Sequence, residues 1–123
     1  MKSLFKLAAI IFTATVATLT IAGGDHVPRH GGQMKETNAF DIEFVAKADV
    51  LQVYLSDHGK AVDLSQVTAK VTVLKGQEKL NFDLKPAGAM LELKGKFDVS
   101  KGTKAVVQIV AGAKTATAQY VLK

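Results

Sequence analysis

The sequence predicts an all-β protein: a single β-sandwich of immunoglobulin-like architecture with about seven strands, behind a signal peptide. Three observations predict it. From Phe40 onward, apolar and polar residues alternate with a period of two in short runs, which sorts side chains onto opposite faces of a sheet. Glycine-containing turn signals separate those runs at short intervals, where backbone must adopt positive φ or reverse direction. The chain opens with the positive stretch Met1-Lys2-Ser3-Leu4-Phe5-Lys6 and continues without charge from Leu7 to Gly24, the layout of a secretory signal.

The elements follow in order. Residues 1–22 read as the signal peptide, with cleavage after Thr20-Ile21-Ala22, a triplet with small residues at its first and last positions. An uncleaved anchor is the competing reading. A spanning helix wants about 20 strongly apolar residues, whereas Thr13, Thr15, Thr18 and Thr20 interrupt this run. Residues 23–38 are poor in core-forming groups and read as a flexible His/Gly-rich lead-in, or at most one short edge strand. The sandwich occupies 39–123.

Within it, Phe40, Ile42 and Phe44 form the first apolar face, and Leu51, Val53 and Leu55 the second. A hairpin at residues 47–49 joins these two runs, so that residues 39 and 57 fall at the same end. A helical stripe of Ile42, Val45, Ala46 and Val50 competes here, but the β-branched and aromatic content favours strand. Further faces are Ala69, Val71 and Val73; Leu80, Phe82 and Leu84; Val107 and Ile109; and Ala116, Ala118 and Tyr120. The turn signals are Asp57-His58-Gly59-Lys60, Lys75-Gly76-Gln77-Glu78, Pro86-Ala87-Gly88, Lys101-Gly102-Thr103 and Ala111-Gly112-Ala113.

Composition narrows the function classes. The chain has 123 residues, and roughly one hundred remain after the signal, enough for one core and one domain. It contains no cysteine, which excludes disulfides, thiolate metal sites and a lipid anchor on a signal-proximal cysteine. The formal charge is +5, and about +3 without Lys2 and Lys6. The remaining lysines alternate with acids and form no basic block, which argues against nucleic acid as a partner. Ser56, Ser65 and Ser100 lie in no Gly-x-Ser-x-Gly turn, and the glycines form no phosphate loop. Asp57 and His58 are expected to point apart as neighbours on a strand. No enzymatic set is recognisable, and the expectation is a protein that is not an enzyme.

The chemistry concentrates in Asp25-His26-Val27-Pro28-Arg29-His30-Gly31-Gly32-Gln33-Met34. Imidazole ligates zinc, copper, nickel and iron, and thioether selects Cu(I). The one histidine outside this stretch is His58, in the Asp57-His58-Gly59-Lys60 turn. A metal site would draw on His30, Met34, His58, His26 and Asp57. A folded-back loop would keep His30 near His58, whereas a regular strand from His30 to Met34 would carry it about 13 Å away. Structural roles fit the same residues: His30 as the start of a strand with its ring on a backbone carbonyl, His58 as a polar turn residue, and Met34 and Met90 as core fillers. No strong ligand motif such as His-Glu-x-x-His is present.

Several segments occur in an order that carries a resemblance: His30-Gly31-Gly32, Asp41-Ile42-Glu43-Phe44-Val45, Val53-Tyr54-Leu55-Ser56-Asp57-His58-Gly59-Lys60, Ala69-Lys70-Val71-Thr72-Val73-Leu74 and Leu84-Lys85-Pro86-Ala87-Gly88. The chain resembles small periplasmic proteins of bacterial heavy-metal resistance, and the extra β-domain of some periplasmic adaptor subunits of heavy-metal efflux pumps. The likeness covers most of His30 to Lys123. It implies a β-sandwich-like domain that binds an ion in the periplasm or docks near the pump, with His30 and the Asp57-His58 turn in the corresponding positions. Such relatives often carry proline after the Gly-Lys of that turn, where this chain has Ala61.

The resulting expectation is a periplasmic protein that binds a transition-metal ion, copper first and zinc or another divalent ion next, in heavy-metal efflux or resistance. His30 is the main ligand, Met34 and His58 its partners, and His26 a flexible capture ligand. A His/Met set favours Cu(I), and His with Asp57 favours Zn or Cu(II). The alternative is a docking module that holds no metal and uses an exposed strand edge or its Lys-rich loops to engage an efflux adaptor or another envelope partner. No membrane span is expected after signal cleavage.

Overall fold

Alternating side chains can be buried only if strands pair in a register that brings their apolar phases together. In the computed structural model, which describes residues 27–123, they do so in nine antiparallel strands: β1 (Gln33–Glu36), β2 (Asp41–Lys47), β3 (Val50–Asp57), β4 (Lys60–Ala61), β5 (Val67–Lys75), β6 (Glu78–Ala87), β7 (Met90–Lys94), β8 (Lys104–Ala111) and β9 (Lys114–Val121). The expected signal peptide lies outside the described residues. Among those described there is no helix, and hence none long and apolar enough to cross a membrane.

The strands run in the spatial order β1-β2-β3-β7-β6-β5-β8-β9, with β4 paired to β3 off this path. Strand β3 lies beside β7 of the β5-β6-β7 meander, and β8 lies beside β5, so two overlapping Greek keys share that meander. The two layers are one continuous sheet. Strand β6 pairs with β5 through Glu78–Leu84 and with β7 through Lys85–Ala87, so it passes from one layer to the other. The result is nearly a barrel. Its strand path ends at β1 and β9, which are not hydrogen-bonded to each other.

Register explains the core. Ile42 pairs with Leu55 and Phe44 with Val53, while Val71 pairs with Phe82 and Val107, and Val107 with Ala118. These inward phases form one buried cluster that includes Leu84, Leu91, Ile109 and Tyr120. Each fully buried Leu, Ile, Val or Phe contributes about 1.5–3 kcal/mol.

All five turn signals coincide with reversals or bends of the chain, and the Ala48-Asp49 turn closes the expected β2–β3 hairpin. Strands β4 and β7 have no counterpart among the alternating runs read from the sequence. Residues 33–36, within the expected lead-in, form edge strand β1. A Thr37 turn joins β1 to β2: its hydroxyl donates to the Phe40 carbonyl at 2.7 Å and accepts the Phe40 N–H at 3.0 Å.

Candidate functional site

Strand β2 is buried on both faces from Asp41 to Val45. Ile42 and Phe44 face the core. Glu43 points the other way, and a sheet's outer face would normally leave it in water. It is nevertheless only 1 % exposed, because the segment before β1 folds back over it. Three backbone N–H groups donate to its carboxylate: Arg29 to Oε1 at 3.0 Å, His30 to Oε2 at 2.8 Å and Gly32 to Oε2 at 2.9 Å. The His30 ring adds a fourth contact, Nδ1 to Oε1 at 2.9 Å. Successive amides converging on one anion form a nest.

The glycines make this approach possible. Gly31 has φ +82°, a conformation that most L-residues avoid. Gly32 lies so close to β2 that a Cβ would collide with the Phe44 carbonyl and come within 2.8 Å of the Val45 side chain. Burial, the largest single effect on the Glu43 carboxyl, raises its pKa. The hydrogen bonds from Arg29, the His30 ring, Gly32 and the His30 amide outweigh it together, and the net shift is downward. The group is therefore a buried carboxylate whose charge is held by directed donors.

Tyr54 completes the arrangement. It is the cross-strand partner of Glu43, so the two side chains stand side by side on the outer face. The His30 ring lies flat on the Tyr54 ring, with centroids 3.6 Å apart and planes 2° from parallel. Stacking and the Nδ1–Glu43 contact together fix the imidazole, yet its side chain stays 43 % exposed. Carboxylate ligation at Nδ1 assigns the proton to that nitrogen in the neutral ring and leaves the Nε2 lone pair available. Histidine ligands of metals are oriented in this way by a carboxylate behind them.

The other expected ligands fall in two places. Met34 on β1 pairs with Glu43 from the opposite side to Tyr54, so Met34, Glu43 and Tyr54 form one row across three strands. Asp57 and His58 sit at the far end of β3, in a crevice lined also by Glu36, Phe40 and Asp41. Tyr54, beneath His30, is three residues from the end of this strand at Asp57, or about 10 Å by strand rise. His30 thus lies over Tyr54 within β3, and His58 lies in the turn that follows the strand. His26 lies outside the described residues. Among those described, no group of three or more His, Cys, Asp or Glu side chains is gathered as for a metal ion.

One expectation is corrected. Asp57 and His58 do not point apart: His58 Nδ1 lies 2.7 Å from Asp57 Oδ1. The strand has already ended there. His58 has φ +51° and Gly59 φ +84°, and Asp57 pairs with Lys60, so His58-Gly59 is a two-residue turn of the type that follows strand twist. That turn swings the ring back beside the carboxylate. The pair is open to water, with the His58 side chain 93 % exposed.

Glu43 and Tyr54 were not among the residues singled out from the sequence. A signal was present in Val45, an apolar residue on the supposedly wet phase of β2 beside Glu43. An apolar outer face indicates a covering segment, and the Gly31-Gly32 pair upstream is able to lie close. A scan of protein-family models, a search of curated proteins and a search of solved structures each returned no match.

Proposed function

We propose that this chain is an exported, periplasmic protein that binds a transition-metal ion, copper by preference, in heavy-metal resistance or efflux. The observation that carries the proposal is the His30–Glu43 contact at 2.9 Å. It presents one half-exposed imidazole, backed by a buried carboxylate and stacked on Tyr54. Such a ligand is preorganised, so little ordering opposes ion capture.

His30 is the main ligand of this reading. Met34 shares its face of the sheet and supplies a soft donor suited to Cu(I). His26 precedes His30 by four positions in the sequence and supplies a second imidazole. The sparse donor set suits a carrier that takes up and releases its ion, and the ion is cargo here. The resemblance to small heavy-metal resistance proteins supports the same reading. His58 with Asp57 is a separate surface pair and is not required.

The test is thermal unfolding and calorimetry with Cu(I), Cu(II) and Zn(II) in chelator-free buffer. An ion at about 100 times its dissociation constant adds about 2.7 kcal/mol, a rise of roughly 10–20 °C for a domain of this size. His30→Ala should abolish most of that rise. No heat and no shift with any ion for the unaltered protein would refute the proposal, and so would an unchanged response in His30→Ala.

A further inference from the structure

The near-barrel has one open seam. Strands β1 and β9 end the strand path, and among the described residues each is paired with a strand on one side alone. Between them runs a trough of about 1130 Å³, above the usual range of small-ligand pockets, about 300–1,000 Å³. Phe44 and Tyr120 lie among the residues beneath it. Its rim carries Lys35 from β1, Lys104 from β8 and Lys123 beyond β9, with Met34, Val106 and Val121 between them. Among the described residues, no acidic side chain lines it. Val121 is one of the few large apolar residues left exposed, at 52 %.

We infer that this seam is a docking groove for an extended acidic segment of a partner protein, added as a strand to the free edge of β9. Three features converge on that occupant. An eight-residue edge strand offers a row of backbone donors and acceptors, the element used in strand addition. Side chains of an added strand alternate, so one set settles on the apolar floor while the other meets the rim. The rim is uniformly cationic, so the complementary set is carboxylate. A second copy of this chain is disfavoured, because pairing two such seams sets lysine against lysine. The groove needs no ion: His30 and Glu43 lie on the outer face of β2, although Met34, a donor of the proposed metal site, also borders the groove.

The experiment uses the ¹⁵N-labelled protein in chelator, with a blocked Glu-Val-Glu-Val-Glu-Val-Glu peptide and its lysine-for-glutamate counterpart as probes. The acidic peptide should shift the amides of Gln33–Lys35 and Gln119–Val121, and the basic one should not. The double variant Lys35→Glu, Lys104→Glu should bind the acidic peptide about fivefold or more weakly and gain affinity for the basic one. Added salt should weaken the acidic complex. Absence of shifts with the acidic peptide overturns the inference, and so do equal shifts with both peptides. Shifts at these amides that follow protein concentration without peptide would also overturn it, by assigning the seam to self-pairing.

Discussion

The Tyr120 hydroxyl donates a 2.7 Å hydrogen bond to the carbonyl of Ile42, and so ties β9 to β2 beneath a seam that no ladder closes. The two residues are 78 positions apart. Burial, and secondarily the nearby Glu43 charge, push the phenol well above its ordinary pKa, so it remains a donor across the physiological range. Tyr120 also packs against Phe44 with ring centroids 5.3 Å apart.

Replacing Tyr120 by Phe keeps that packing and removes the bond. The expected cost is about 1–2 kcal/mol. Urea unfolding should show a lower midpoint with an unchanged slope, and amides of β1 and β9 should exchange faster than those of β5 and β8.

Glu43 makes stability depend on pH. Its folded pKa lies below the ordinary 4.5 of a free carboxyl. A depressed carboxyl stabilises in full above its unfolded value, and that contribution is lost as pH falls through the lower folded value. Melting temperatures measured from about pH 7 down to pH 3 should fall in the acid part of the range. Glu43→Gln should flatten that fall and cost about 2–4 kcal/mol at neutral pH. It should also expose the Arg29 bond to trypsin, because the amides of Arg29, His30 and Gly32 lose their shared anion.

The two adjacent glycines should respond differently to alanine. At Gly31 a Cβ meets nothing within 4 Å, so the positive φ is the whole penalty, about 1 kcal/mol. At Gly32 the Cβ strikes the Phe44 backbone, and the segment must lift, at about 2–3 kcal/mol. Chemical denaturation ranks the two variants. Only Gly32→Ala should also disturb the His30–Tyr54 stack, seen as a change in ring proton shifts.

His58 occupies a left-handed turn position that suits asparagine better. His58→Asn should therefore stabilise the fold by about 0.5 kcal/mol. It should leave the proposed metal binding at His30 unchanged within error. A loss of binding would show that the two histidines share an ion.

Much of the strand content was legible in the chain. The phases Ile42-Phe44, Val53-Leu55, Ala69-Val71-Val73 and Ala116-Ala118-Tyr120 announce their inward faces because period-two alternation is a local property. The turns at Gly76, Gly88 and Gly112 were legible for the same reason. Strand β7 was not: Met90–Lys94 is short, and Leu91 is its one fully buried residue, too few repeats for a period to stand out. The candidate site was legible only in part. His30 was singled out for its chemistry, whereas Glu43 and Tyr54 read as ordinary outward-facing residues of two strands.

What the linear order of residues settles here is each strand's two faces and the places where the backbone must reverse, since both depend on near neighbours. The covering of Glu43 by Arg29–Gly32, the stacking of His30 on Tyr54, the distance between His30 and His58, and the open seam between β1 and β9 are set elsewhere. Each depends on which strands become neighbours and where a loop comes to rest, and those choices arise from packing between residues far apart in the chain.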